Sequence, residues 1–198
     1  MKIIGITGPS GSGKSLLGEQ IKKAGIPCID ADRLYHSLLI PPSRCLDAIA
    51  VKFGSDFICE DGSLNRVLLS SKVFSDPSEL KKLNDTVLPI VLDSIREHIS
   101  RLEENGETLV AVDAPTLIES GFHRECDYTV VVLAPTDLRI TRASERDGIS
   151  ENKAKERIAA QSPDDFYTAA ADFVIINDSD TASFIKKADI LIDKLKNL

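Results

Sequence analysis

With 198 residues, 42% of them hydrophobic and 28% charged, the chain has the size and composition of one α/β domain with room for a small inserted subdomain. A formal net charge of −7 excludes broad electrostatic attraction to nucleic acid, so any anionic ligand must be held by a local basic site. No apolar run approaches the ~20 residues of a membrane span, and Met1 to Ile6 is too short for a secretory leader, so the expectation is a soluble, cytoplasmic protein.

The first predicted element is a buried strand over Lys2 to Thr7, followed by Gly8-Pro9-Ser10-Gly11-Ser12-Gly13-Lys14-Ser15 and a helix over Lys14 to Ala24 that Gly25 caps. A second strand is predicted over Ile26 to Ile29 and ends in Asp30-Ala31-Asp32. Helices are expected over Arg33 to Leu39, Arg44 to Phe53, Pro77 to Leu83 and Pro89 to Glu104, with no convincing strand among them. A crossover does not need so long a stretch, so about 33–107 reads as a helical insertion able to close over a substrate. The third strand, Thr108 to Val112, leads into Asp113-Ala114-Pro115, and the fourth is Tyr128 to Leu133. Helices over Thr136 to Arg146 and Glu151 to Ala160 follow, the latter with Ser150 as N-cap. The polar stretch of about 142–168 reads as a lid. A fifth strand, Phe173 to Ile176, precedes Asn177 and a last helix over Thr181 to Leu195. Short Ile- and Val-rich strands alternating with helices predict a parallel sheet covered on both faces. Cys28, Cys45, Cys59 and Cys126 form no C-x-x-C pair and have no His cluster, which favours separate, reduced thiols over zinc or disulfides.

The segment Gly8 to Ser15 matches G-x-x-x-x-G-K-[ST] in its proper strand–loop–helix setting. Its glycines let successive backbone N–H groups turn inward and, with the positive end of the next helix, form a nest for a nucleotide β-phosphate. Lys14 would bridge the β- and γ-phosphates and the Ser15 hydroxyl would ligate Mg²⁺. The motif specifies nucleotide phosphate and leaves the acceptor open.

In a parallel sheet, ligands bind at the carboxyl ends of the strands, so the residues just past each strand carry information. Asp30 and Asp32 would point the same way in an extended segment. One of them could accept the proton of an attacking hydroxyl and the other cap the next helix; Asp32 is assigned the base and Asp30 the cap, a division the spacing alone leaves open. Asp113 fits either an acidic residue holding Mg²⁺ through water or a solvated strand end. Arg139, Arg142 and Arg146 fall on one helix face and could meet the charge of a departing γ-phosphoryl. A solvated basic face is the competing reading; it loses ground in an acidic protein where the run precedes a lid. His36, His98 and His123 are isolated and carry no assigned chemistry.

Taken together the chain resembles the dephospho-coenzyme A kinases along almost its whole length. The pieces that carry the resemblance are Gly5-Ile6-Thr7-Gly8 into the phosphate loop, Ile29-Asp30-Ala31-Asp32, Phe53-Gly54, Asp61-Gly62-Ser63-Leu64-Asn65-Arg66 and Val73-Phe74. They continue with Leu83-Asn84, Asp113-Ala114-Pro115-Thr116-Leu117-Ile118-Glu119, Arg142, Arg146-Asp147, Gln161, and Ala171 to Asn177. The resemblance implies a P-loop kinase fold: a five-stranded parallel sheet flanked by helices, with a helical substrate-binding insertion and a lid. It implies transfer of phosphate from ATP to the ribose 3′-hydroxyl of dephospho-coenzyme A, the last step of coenzyme A synthesis. The phosphate loop calls for Mg²⁺, and no obligate protein partner, nucleic acid or membrane is expected. By similarity Asp32 is the base and Lys14, Arg142 and Arg146 the catalytic cations. ATP would be held by Gly8, Ser10, Gly11, Ser12, Gly13, Lys14, Ser15 and Leu16, with Asn177 near its adenine. The acceptor would lie at Asp32, Arg66 and Pro115, and the metal at Ser15 and Asp113. Leu88 stands where the family usually has His before Pro, and Thr116-Leu117 where it often has Leu-Leu. A kinase for another small acceptor, such as a nucleoside monophosphate or a sugar acid, is the alternative. A GTP-reading switch is disfavoured because the chain has no Asn-Lys-x-Asp segment.

Overall fold

The computed structural model describes the backbone of residues 1–198 and every side chain but that of Phe74, so this one residue of the resemblance lies outside the described side chains. Two compact units emerge, one of residues 1–30 and 102–198 and the other of residues 31–101.

The first unit is built on five parallel strands, β1 (Lys2–Thr7), β2 (Cys28–Asp30), β3 (Leu109–Asp113), β4 (Tyr128–Leu133) and β5 (Phe173–Ile176), in the order β2-β3-β1-β4-β5. The parallel sheet is therefore present as expected, with β1 at its centre, while β3 separates β2 from β1. Its register sets Ile6 beside Asp113 and Val130, and Asp30 beside Asp113. Period-two alternation sends Ile4 and Ile6 of β1 to one face, where both are fully buried among Leu17 and Ile21 of α1 (Lys14–Lys23) and Phe184, Ala188, Ile192 and Leu195 of α9 (Thr181–Lys196). Gly5 faces the other way; a Cβ there would come within 2.6 Å of Leu117 and 2.9 Å of Cys126, so the chain between β3 and β4 lies directly on the sheet. Two aspartates pin strand starts: Asp127 accepts from Ile3 N at 2.7 Å and Asp172 accepts from Thr129 N at 2.8 Å. The second of these gives the Ala171-Asp172 pair a physical role. At the carboxyl edge the sheet gathers Thr7, Asp30, Asp113 and, after β5, Asn177. After β4, α6 (Thr136–Asp147) and α7 (Glu151–Ala159) pack through Ile140, Ala143, Ala154 and Ile158. Ser150 caps α7 by accepting from Lys153 N. A short α8 (Asp164–Thr168), unpredicted, follows Pro163.

The second unit is helical: α2 (Ala31–Ser37), α3 (Arg44–Phe53), α4 (Arg66–Ser75) and most of α5 (Pro77–Glu104). Its core joins Leu39, Cys45, Leu46, Ile49, Phe57, Leu69, Val73, Leu83 and Val87. Two expectations are corrected here. The helices predicted on either side of Leu83 to Pro89 are one, α5, running through Pro89. Leu83, Val87, Val91, Ile95 and Ile99 form an unbroken buried stripe, and Pro89 sits on the exposed side, so packing outweighs the lost backbone bond. Helix α4 was not expected, although Asn65 caps it by accepting from Leu68 N at 3.0 Å. Leu88, in the place of the family's His, is a half-buried residue of α5.

Candidate phosphate-binding site

The loop between β1 and α1 is a nest, and its outer wall consists of side chains from elsewhere in the same unit. Arg139 Nε donates to Ser10 O at 3.2 Å, Arg142 Nη1 to Gly11 O at 3.4 Å, and Asn177 Nδ2 to Ser12 O at 2.9 Å. A trans peptide is planar, with C=O and the next N–H antiparallel. Drawing the carbonyls of Ser10 and Ser12 outward therefore aims the N–H groups of Gly11 and Gly13 inward, the arrangement an anionic oxygen needs. The glycines are required by space as well as by dihedral angle. A Cβ on Gly8, at φ 143°, would sit 2.1 Å from Val132 O, and one on Gly11, at φ 77°, would sit 2.6 Å from Arg139 O.

Lys14 opens α1, and its ammonium lies along the loop, donating to Gly8 O at 2.7 Å and Pro9 O at 3.4 Å. Ser15, exposed in the first turn, presents its hydroxyl at the same helix start. Leu16, half-buried, packs its side chain against the sheet core. Thr7 Oγ1 donates to Pro115 O at 3.2 Å, tying the end of β1 to the turn after β3.

The shared face of the three arginines is present and turned to the loop. Arg139 is only 4% exposed; burial lowers its pKa, and the Asp164 carboxylate, 3.5 Å from Nη1, opposes that shift. Arg142 also donates to both oxygens of Asn177, joining the loop to the end of β5. Arg146 is exposed; its Nη2 reaches Ser10 Oγ at 3.3 Å, while Asp147, which also pairs with Arg157, holds its Nε at 2.7 Å. These hydrogen bonds keep the Asp147 carboxyl below the usual range. Asn177, 4% exposed, has both ends of its carboxamide engaged by the loop and Arg142.

Asp113 lies beside α1: one of its oxygens would be 3.5 Å from a Cβ on Gly18, and the thiol of Cys28 is close by. Burial, with help from the carboxylates of Asp113 and Asp30, pushes the Cys28 thiol up to about 11, and burial pushes Cys126 up to about 12. Both are therefore inert thiols at neutral pH. The donor set near the loop suits Mg²⁺. A serine hydroxyl from the start of α1 and a carboxylate from the end of β3 would leave most coordination positions to phosphate oxygens and water, which is how this ion prefers to bind. Among the described residues no group of three or more His, Cys, Asp or Glu side chains could form an all-protein cage.

Asp30 and Asp32 do not share an extended segment. The strand ends at Asp30 and α2 starts at Ala31, which leaves Asp32 exposed in the first helical turn. The expectation that both side chains point the same way is thus corrected; Asp30 takes the position just before the helix. In the 31–101 unit, exposed Arg66 begins α4 close enough to Tyr35 to oppose the rise that burial gives the tyrosine's pKa. Of the loop's wall, Arg139 is legible in the sequence through its helical spacing, as one of three arginines able to meet the γ-phosphoryl charge, but its bond to Ser10 O is not. Gln161 appeared only as one piece of the resemblance, because a lone Gln after a helix carries no signal of its own.

Comparison with known proteins identifies the family. The dephospho-CoA kinase family model matches residues 2–183. A dephospho-CoA kinase of Anaeromyxobacter dehalogenans is 37% identical over 196 residues, covering 99% of this chain and 93% of the relative. A solved Thermus thermophilus protein superposes with a TM-score of 0.80 at 32% identity, covering 98% of this chain and 97% of that one. Dephospho-CoA kinase from Campylobacter jejuni superposes with a TM-score of 0.75 at 25% identity, with 100% of each chain covered. The chain belongs to the dephospho-CoA kinase family.

Proposed function

We propose that this protein transfers the γ-phosphoryl group of ATP to the ribose 3′-hydroxyl of dephospho-coenzyme A. The observation that carries the reading is the phosphate nest, with its outward-held carbonyls and Lys14 at its mouth, in a chain that belongs to this family over almost its full length. The nest amides and Lys14 bind the β- and γ-phosphates, and Arg142 and Arg146 meet the charge that spreads over the transferring group. Asn177, whose carboxamide is engaged by Ser12 O and Arg142, would border the adenine rather than bind it through that group. Ser15 and Asp113 would hold Mg²⁺, which would offset the negative charge of the phosphates. Asp32 orients the acceptor hydroxyl and takes its proton, with Arg66 and Pro115 as further acceptor contacts. Residues 33–107 form the substrate-binding insertion and 142–168 the lid. Among the described residues no helix is long and apolar enough to cross a membrane. We further propose that the reaction takes place in the cytoplasm, without an obligate protein partner.

An acceptor screen tests this reading. Purified protein with ATP and Mg²⁺ is offered dephospho-coenzyme A, nucleoside monophosphates and sugar acids, and the phosphorylated position is fixed by ³¹P NMR. Phosphorylation of dephospho-coenzyme A at the 3′-oxygen is expected. Turnover of a nucleoside monophosphate or sugar acid, with dephospho-coenzyme A inert, would replace it with the alternative.

A further inference from the structure

We infer that Gln161 is a positioning residue for the phosphate loop, acting through Ser10 and Arg139, and that its lack of charge is part of that role. Gln161 lies two residues past the end of α7, where Gln161 N donates to Ile158 O at 3.1 Å. Its side-chain oxygen accepts from Ser10 N at 3.1 Å and from Arg139 Nη2 at 2.9 Å. The same guanidinium donates through Nε to Ser10 O at 3.2 Å. One planar fork thus holds Ser10 on both sides, its carbonyl directly and its N–H through the carboxamide. Nη1 points to Asp164, so the arginine's donors are spread over three partners. The peptide between Ser10 and Gly11 is held with its carbonyl outward, which aims the Gly11 N–H into the nest.

The side chain at 161 must accept two hydrogen bonds at once. A carboxylate would do so and would pair more strongly with buried Arg139. It would also set a negative charge against the loop that, on the reading above, receives a polyphosphate. At a separation of several ångströms and the effective dielectric of a partly buried site, that repulsion is worth about tenfold or more in affinity. A neutral acceptor holds the loop without opposing its ligand.

The test uses the full chain with Gln161→Ala and Gln161→Glu. Amide exchange at Ser10 is followed without nucleotide, and urea midpoints and KM for ATP and acceptor are measured in parallel. Gln161→Ala is expected to speed Ser10 exchange and raise KM for ATP about tenfold, leaving KM for the acceptor unchanged. Gln161→Glu is expected to keep Ser10 protection and the urea midpoint while weakening ATP about tenfold. Its deficit relative to wild type should shrink as salt screens the added charge. A merely structural role would lower the urea midpoint in step with any kinetic change and leave Gln161→Glu with wild-type ATP affinity. Either that result or unaltered Ser10 exchange in Gln161→Ala overturns the inference, as would tighter ATP binding by Gln161→Ala, which would mark the Ser10 contact as a competitor of phosphate. Wild type that binds no ATP while Ser10 exchange responds to Gln161→Ala would overturn the ligand assignment and the charge argument together.

Discussion

Lys14 donates to two carbonyls of its own loop, those of Gly8 and Pro9. Those contacts hold an ammonium where the β- and γ-phosphates are proposed to bind. Lys14→Ala removes that charge but no core atom, so the fold should survive while phosphoryl transfer is lost. Removal of one such transition-state stabiliser costs on the order of 3 kcal/mol or more. Near-wild-type turnover, with the far-ultraviolet circular dichroism unchanged, would sink the assignment of Lys14. Single residues also show where sequence stops informing. The glycines and Lys14 were legible because the motif's spacing is itself the mechanism. Arg142 and Asn177 were legible as site residues, but their bonds to the carbonyls of Gly11 and Ser12 were not. Such bonds join positions 131 and 165 residues apart, and no local pattern encodes a partner at that range.

At the level of the element, strands were the most readable. The predicted first, fourth and fifth strands coincide with β1, β4 and β5, because a buried parallel strand is a short apolar run with polar ends. Helices misread were those whose local signals conflict with packing. Pro89 argues for a break that the buried stripe of α5 overrides, and α4 has a serine-rich middle that hides its apolar side. The Asn65 cap on α4 makes that helix testable. Asn65→Ala leaves the Leu68 N–H without its acceptor and should cost about 1 kcal/mol, read as a lower urea midpoint. An unchanged midpoint would mean that water replaces the cap at no cost. Helix α7 carries the lid proposal. Gly148, at φ 61°, ends α6, and the first polar turn of α7 begins three residues later. Amide exchange in 149–160 should slow when ATP and acceptor are both bound. Equal exchange at demonstrated saturation would argue against closure by this helix.

For the whole molecule, the proposed work divides between the two units. Every residue proposed to hold ATP belongs to residues 1–30 and 102–198, whereas Asp32 belongs to 31–101. Asp32→Asn should therefore leave ATP affinity at its wild-type value and act on turnover alone. Asn keeps the size of Asp and some of its hydrogen bonding, but it has neither the charge to orient an acceptor hydroxyl nor the basicity to take its proton. General-base contributions are typically ~10²–10⁴-fold, and a loose phosphoryl-transfer transition state needs little early proton removal, so a loss near the lower end, about 10²-fold, is expected. Asp30 provides the control. It is half-buried at the end of β2, paired in register with Asp113 and followed at once by α2. Asp30→Asn should therefore lower the urea midpoint more than it lowers kcat. The two variants are compared by ATP titration, by kcat at saturating acceptor and by urea unfolding. Wild-type kcat in Asp32→Asn would remove the base from this position. A catalytically dead but fully stable Asp30→Asn would transfer the role to the strand-end carboxylate, in the unit that also carries the phosphate loop.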